Sequence, residues 1–528
     1  MKYPIGMQDF RSLRRFGAAY VDKTEQICAL PTAGTYFFLS RPRRFGKSLT
    51  VSTLKELYSN SAHLFEGTWA GEHWDFPARE RPVIWVKFAS LGYDTLGVTG
   101  ALLLEIARTA ERFGVSLPGT GALREEFRAL IEAVAGTHES GRCVVLVDEY
   151  DKTIVDYLNK PERALQNRDE LRHFYGVLKD AEPYLEFVFI TGVSAFSKVS
   201  LFSDLNNIRN LTLDPLARTI VGITEEELLS QFGTQLEATG HPLTEVRRWY
   251  NGYTWGGAKV YNPWSIILFL SSATLSNYWA NSGTPKFVTD LMARGGDYDV
   301  AGTSVTEVAL LNFTLEKLSP ATILWQGGYL TLATPTPSRG RYELRYPNEE
   351  VYQTFTETLL SSYGFADVEP TTEAHALEKA LLKRDLDTFA EQVDAILAGV
   401  PCELWTDAAE RFYHAVLLTA FRYIGTFEAR AEVSSARGRA DVVLEFDDTV
   451  FVMEFKLLRP AAAELADEAS RAAAAEALAQ DALAQIEQRG YATAYRGGER
   501  EVVVLAVVFD AERRKVAVVR ELDAQSAG

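Results

Sequence analysis

Two sets of residues in this 528-residue chain have the types and spacing to do chemistry. The first lies in YFFLSRPRRFGKS, Tyr36 to Ser48, where a short apolar run enters a turn ending Gly46-Lys47-Ser48. The pattern predicts a strand, a tight turn and then a helix. That geometry aims backbone N–H groups and the positive end of a helix dipole at an anion. The candidate phosphate-binding set is therefore Arg44, Phe45, Gly46, Lys47 and Ser48. Lys47 would reach the β- and γ-phosphates of a nucleotide, and the Ser48 hydroxyl would sit on Mg²⁺. The match to G-x-x-x-x-G-K-S/T is incomplete, because Arg41 stands at the first glycine position.

A second element strengthens the nucleotide reading. Val144-Val145-Leu146-Val147 reads as a strand buried on both faces, and it ends in Asp148-Glu149. Open α/β sheets place their ligands at such strand ends. Asp148 can hold Mg²⁺ through water, and Glu149 can polarise a water that attacks the γ-phosphate. A plain acidic helix start, using Asp148, Glu149 and Asp151, is the competing reading. A third strand, EFVFIT, ends in Thr191-Gly192-Val193-Ser194. Thr191 and Ser194 are candidates for sensing the γ-phosphate, against the alternative of a Ser/Thr-rich turn.

The other set is C-terminal. Gly438-Arg439-Ala440-Asp441 leads into a strand at Val442–Phe446, a turn at Asp447-Asp448 and a strand at Val450–Leu457 holding Glu454-Phe455-Lys456. A hairpin of this length sets Asp441 beside Glu454, and alternation sends Glu454 and Lys456 to one face. Two carboxylates and a lysine suit metal-assisted phosphodiester hydrolysis. Asp441 and Glu454 would hold Mg²⁺ or Mn²⁺, while Lys456 orients or deprotonates water and steadies developing charge. The competing reading is a cross-strand ion pair. Glu410, on the preceding amphipathic helix, is a further candidate ligand, and Gln485 could reach back to the site, with Tyr491 and Tyr495 nearby. His414 is the one histidine close by, and packing is its commoner role.

These residues need an α/β scaffold. Up to about residue 215, strands at Tyr36–Leu39, Val83–Phe88, Cys143–Val147 and Phe187–Thr191 alternate with helices at Ser48–Tyr58, Leu102–Phe113, Glu125–Ala135 and Arg168–Asp180. That is the pattern of a mostly parallel sheet. Residues 216–335 read as a helical lid broken by aromatic turns such as WYNGYTWGG and VYNPWSI, whose aromatics suit packing better than base stacking. The turn-rich 334–340 interrupts a hairpin. Residues 336–400 read as linker helices and 401–528 as a separate unit, in which Ala461–Ile486 is helical on propensity.

Composition limits the partners. The net charge of −17 argues against bulk attraction to nucleic acid or anionic membrane. Residues 401–528 alone carry 22 acidic and 15 basic side chains, unusual for a duplex binder. Local basic patches at Arg11, Arg14 and Arg15 and at Arg41, Arg43 and Arg44 remain, the latter read as phosphate neutralisation. Three scattered cysteines, Cys28, Cys143 and Cys402, suggest a reducing cytoplasm and neither disulfides nor zinc. No apolar stretch reads as a signal peptide or a membrane span.

Taken together, the chain resembles a bacterial and archaeal family that joins an AAA-type P-loop ATPase domain to a PD-(D/E)XK nuclease-superfamily domain. The resemblance runs through PIGMQDF, YVDKTEQI, FLSRPRRFGKSL, VVLVDEYDK, FITGVSAFSKVSLFSDLNNI, WYNGYTWGG, VYNPWSI, NYWANSG, GRADVVLEF, VFVMEFKL and QI-x4-YA. A missing first loop glycine is usual in that family. The resemblance implies a P-loop NTPase sheet with a helical lid, followed by a restriction-endonuclease-like domain. It implies ATP binding at Lys47, Ser48 and Asp148, hydrolysis assisted by Glu149, sensing around Thr191 to Ser194, and a nuclease-type site at Asp441, Glu454 and Lys456. DNA or RNA is the expected partner. The alternative is a regulatory NTPase switch whose nuclease-like unit only binds a partner. Arg209, the loop arginines or a neighbouring copy in a homo-oligomer are candidate sources of an arginine finger.

Overall fold

The computed structural model describes residues 1–194, 202, 205, 207–279, 302–311, 319–333, 340–362, 370–400, 405, 410–424, 428–435, 438–459, 468–496 and 499–522. The chain divides into two compact units. One comprises Met1–Gly283 and Ala301–Tyr352, the other Thr284–Val300 and Gln353–Gly528. Among the described residues, no helix is long and apolar enough to cross a membrane.

The first unit is built on five strands: β1 (Tyr36–Ser40), β2 (Val83–Lys87), β3 (Cys143–Asp148), β4 (Leu185–Gly192) and β5 (Arg209–Asn210). Their order across the sheet is β2-β3-β4-β1-β5, and every pairing is parallel. β1 and β3 are buried along their whole length, as unbroken apolar runs require when helices cover both faces. The carboxyl ends of β1, β3 and β4 therefore lie side by side, and the candidate phosphate, metal and sensor residues follow directly from them.

The four expected strands all form. The helices reach further than local periodicity shows. The second belongs to a helical stretch Tyr93–Phe113 that kinks at Gly97, whose φ of 68 and ψ of 167 are not helical, and the fourth starts at Pro161. Two short helices, Phe10–Phe16 and Thr24–Ala33, precede β1. Their weak periodicity hid them. The first is pinned by Arg11, which pairs with the fully buried Glu56 on the helix Lys47–Tyr58 at 2.5 Å, and by Arg14, which donates to Leu64 O and Glu66 O. Arg11 and Arg14 are thus committed inside the fold and do not form the basic patch expected of them.

Beyond the sheet, β6 (Ile223–Thr224) pairs with β7 (Val260–Tyr261), and the helices Glu225–Ala238, Leu243–Tyr250 and Pro263–Ser272 close a small core. Asn262 caps the last of these, accepting from the N–H groups of Trp264 and Ser265. Tyr250, Tyr253, Trp255 and Tyr261 are buried, so these aromatics pack, as expected. The hairpin also forms: β8 (Ser304–Thr306) and β9 (Thr331–Leu332) flank β10 (Arg341–Arg345), with antiparallel pairing throughout.

The second unit holds the sheet β11 (Glu428–Ser435), β12 (Gly438–Glu445), β13 (Thr449–Leu458), β14 (Glu501–Asp510) and β15 (Lys515–Glu521), in that order. β13 and β14 run parallel, joined by the Ala-rich helix Glu468–Arg489, and the other pairs are antiparallel. Val450, Val452 and Leu458 face this helix and meet Ala475, Ala479, Ala482 and Ile486. Small alanines let the helix sit close to the sheet. The other face receives the helix Glu410–Ile424, whose Tyr413 stacks on Phe509.

Candidate functional site

The turn after β1 enters the helix Lys47–Tyr58 through Gly46, whose φ of 95 is a left-handed conformation that glycine adopts without cost. Arg44 is also left-handed, at φ 66, where a side chain costs about 1 kcal/mol or more. Lys47 is buried, and its Nζ donates to Arg41 O at 2.9 Å and Pro42 O at 2.8 Å. Burial pulls the Lys47 ammonium below the usual lysine range, while Glu149, Asp148 and Asp151 pull the other way.

A cavity of about 740 Å³ opens over this turn. Polar residues including Arg43, Arg44, Lys47, Ser48 and Glu149 line it, and so do apolar ones including Ile5, Met7, Val21, Phe232, Trp264 and Ile267. Arg44 lies over the Trp264 ring at 4.1 Å. Phe45 turns its ring away into Tyr253 and Trp255, so only its backbone serves the cavity. The segment Pro4–Gln8 also lines the cavity, a position that no local periodicity in its sequence reveals.

The acidic strand end is braced from β4. Thr191 Oγ1 donates to Asp148 Oδ1 at 2.9 Å, fixing one carboxylate oxygen. Glu149 follows in a left-handed conformation, φ 57. Burial pushes the Glu149 carboxyl up, opposed by Lys47 and assisted by Asp148 and Asp151. Asp151 is buried and accepts from the N–H groups of Val193 (3.1 Å) and Ser194 (2.6 Å). It was read only as a helix start, yet it ties β3 to the turn after β4. A Cβ on Gly192 would fall 2.4 Å from the Tyr150 ring and 2.6 Å from Asp151, so this close approach requires glycine. Thr191 and Ser194 thus contact the two aspartates.

In the second unit the β12–β13 ladder reaches Val442↔Met453, and one residue beyond it the Asp441 carboxylate accepts the Phe455 N–H at 2.7 Å. β13 continues alongside β14 as far as Leu458, and β12 stays paired with β11 as far as Gly438, so Asp441 stands where β12 and β13 part. Lys456 Nζ donates to Glu454 Oε1 and to Gln485 Oε1, both at 3.0 Å, and Gln485 Nε2 donates back to Glu454. Alternation therefore places Glu454 and Lys456 together, as expected, and Gln485 closes a triangle with them. His414 packs edge-on against Phe455, with Nε2 3.7 Å from Asp441 Oδ2. Tyr491 is buried beneath the Ala-rich helix and Tyr495 packs nearby. Glu410 begins its helix, and its side chain lies outside the described residues.

Among the described residues, no three His, Cys, Asp or Glu side chains stand together as a ready metal cage. The donors present at both sites are hard oxygens. Such a set fits Mg²⁺ or Mn²⁺, which bind through one or two carboxylates and keep several waters.

A family model described as "Predicted AAA-ATPase" matches residues 4–202, and one described as "PD-(D/E)XK nuclease superfamily" matches residues 408–518. An uncharacterized protein in the vnfD 5′ region of Azotobacter chroococcum mcd 1 is 34% identical over 527 residues, covering 98% of each chain. The chain belongs to this AAA-ATPase-like family with a PD-(D/E)XK domain. The AAA-ATPase-like match opens at Pro4, at the segment that lines the cavity.

Two candidate roles in the AAA-ATPase-like domain meet obstacles in its geometry. Arg41 is buried and points away from the cavity, its Nη groups donating to Ser40 O, Thr212 O and Ala217 O, each at 2.8 Å. Burial pushes its guanidinium down to about 9, still protonated at neutral pH. It neither neutralises phosphate nor serves as a finger. Arg209 is paired with Asp214 at 2.8 Å on the edge strand β5, away from the cavity lining.

Proposed function

We propose that the AAA-ATPase-like domain binds and hydrolyses ATP, and that this turnover controls metal-dependent cleavage of DNA or RNA by the PD-(D/E)XK domain. The observation that carries the reading is the cavity that Lys47, Ser48 and Glu149 line together, just beyond the carboxyl ends of β1 and β3. Lys47 offers its ammonium to the β- and γ-phosphates, and the backbone around Gly46 offers N–H donors. Glu149, whose carboxyl is raised by burial, is suited to accept a proton from the attacking water. Bound Mg²⁺, next to Ser48 and Asp148, would supply charge neutralisation at the phosphates. In the PD-(D/E)XK domain, Lys456 is held by Glu454 and Gln485 with its Nζ at the Glu454 carboxylate, where it can orient or deprotonate a water. A second copy of the chain is a source of an arginine finger, since Arg41 and Arg209 are both committed elsewhere.

The test is cleavage of DNA and RNA by the whole protein with Mg²⁺ or Mn²⁺, with and without ATP, beside Lys47→Ala and Glu454→Ala. Cleavage lost in Glu454→Ala and altered in Lys47→Ala is the expected result. ATP turnover with no cleavage of any substrate would favour the other reading, a regulatory switch whose PD-(D/E)XK domain only binds a partner. The acidic charge of residues 401–528 favours that second reading.

A further inference from the structure

Arg41 occupies the place where a phosphate-binding loop ordinarily has a glycine, and its surroundings account for the exchange. The side chain is 1% exposed. A buried charge is costly unless it is fully partnered. Here the two Nη groups have three carbonyl partners, from the end of β1, from Thr212 just beyond β5 and from the short turn Pro215–Ala217, while the buried Nε makes no hydrogen bond. The guanidinium also lies over the Trp255 ring at 4.1 Å, a cation–π contact supplied by the lid segment WYNGYTWGG. The same ring meets Phe45 edge-on at 5.4 Å. Both flanks of the loop are thus held by one cation and one indole.

The backbone of residue 41 has its own task. Its N–H donates to Gly192 O at 3.1 Å, and its carbonyl is one of the two that receive Lys47 Nζ. A single residue therefore joins the end of β4, the lid aromatics and the resting place of the lysine. Glycine in its place would free the turn conformationally. It would also leave three carbonyls and an indole face without their cation.

We propose that Arg41 is a positioning residue for Lys47: clamped between the 212–217 segment and Trp255, it fixes the first turn of the loop so that the Lys47 ammonium is held where the β- and γ-phosphates arrive. The role rests on the nucleotide reading of the cavity. It makes the loop dependent on the lid, so that restoring the usual glycine weakens the site.

The experiment is equilibrium competition binding of ATP, ADP and AMP to the full-length chain as wild type, Arg41→Gly, Arg41→Met, Trp255→Leu, Lys47→Met and the Arg41→Met/Lys47→Met double variant. Arg41→Met and Arg41→Gly should lose about tenfold or more in ATP affinity while AMP affinity holds, collapsing the preference for longer phosphate chains. Trp255→Leu, which leaves the charge in place, should lose about threefold in the same ratio. In the double variant, Arg41→Met should add nothing to Lys47→Met. An equal loss for ATP and AMP with a lowered Tm, or ATP binding by Arg41→Gly as tight as wild type, overturns the proposal. If the Arg41 variants fail to fold, an unchanged ATP-to-AMP ratio in Trp255→Leu overturns it. A wild-type chain that binds none of the three nucleotides sinks the nucleotide reading itself, and this inference with it.

Discussion

The loop at Arg41–Ser48 owes its shape to residues far along the chain, whereas the cluster of Asp441, Glu454 and Lys456 is set by two neighbouring strands and one helix. At the loop, Arg44 and Glu149 hold left-handed conformations, Arg41 and Lys47 bury charge, and support comes from Thr212, Ala217 and Trp255. Strain of this kind persists only where the surroundings over-determine it. The cluster in the second unit needs no such support. Strand alternation and the end of the β12–β13 ladder bring its side chains together, and Gln485 adds one brace. A site made of backbone must be held from outside, while a site made of side chains on a strand is held by its own ladder.

The largest effects should come from the residues that do the chemistry. Glu454→Ala should reduce cleavage about 10³-fold, the loss of several kcal/mol of charge stabilisation, and leave ATP turnover unchanged in a steady-state phosphate-release assay. Lost turnover in that variant would show that the two sites are not separately built. Glu149→Gln should lower turnover about 10²-fold while ATP still binds, seen as a fall in kcat at constant ATP affinity. A fall in affinity instead would mark Glu149 as a binding group. A smaller loss, about tenfold in Mn²⁺ affinity by calorimetry, is expected for Gln485→Ala, because it orients ligands without being one. No change there would mean that the strand ladder alone suffices.

The smallest effect concerns the scaffold. Arg11→Ala should cost about 1 kcal/mol in denaturant unfolding of the first unit, since it strips one partner from the buried Glu56 while Lys55 and Ser61 remain. Burial alone would raise the Glu56 carboxyl, but Arg11, Lys55 and Ser61 outweigh it and hold it below its ordinary value of 4.5. The unfolded chain therefore takes up the proton at higher pH than the folded one. The stability from this pair is present above about pH 4.5 and is lost as pH falls through the lower folded value. Arg11→Ala should flatten that acid limb of the stability profile.

Much of this was legible in the sequence, and the rest was hidden for a definite reason. Unbroken apolar runs marked β1 and β3, and period-two alternation put Glu454 and Lys456 on one face. Those signals lie within a few residues of one another. The inward turn of Arg41, the reach of Pro4–Gln8 to the cavity and the pairing of Arg11 with the buried Glu56 depend on contacts between distant parts of the chain, 45 residues apart for Arg11 and more than 170 for Arg41. No local period encodes such contacts, and an arginine beside GKS reads as a phosphate ligand until its partners are seen. Asp151 does stand at the start of a short helix, Lys152–Val155, but its carboxylate accepts from Val193 and Ser194 in the turn after β4 and not from that helix.

The first unit is discontinuous, closing only with residues 301–352. Trp279 N–H is satisfied by Glu350 at 2.7 Å, and Thr254 exchanges hydrogen bonds with Thr331. During synthesis, the AAA-ATPase-like domain must therefore wait for about 70 further residues after Gly283, roughly 3 to 14 s at ribosomal speeds. Over that interval the nascent chain carries its phosphate loop and most of the lid with their last supports still unmade, and it is then that a chaperone would find it.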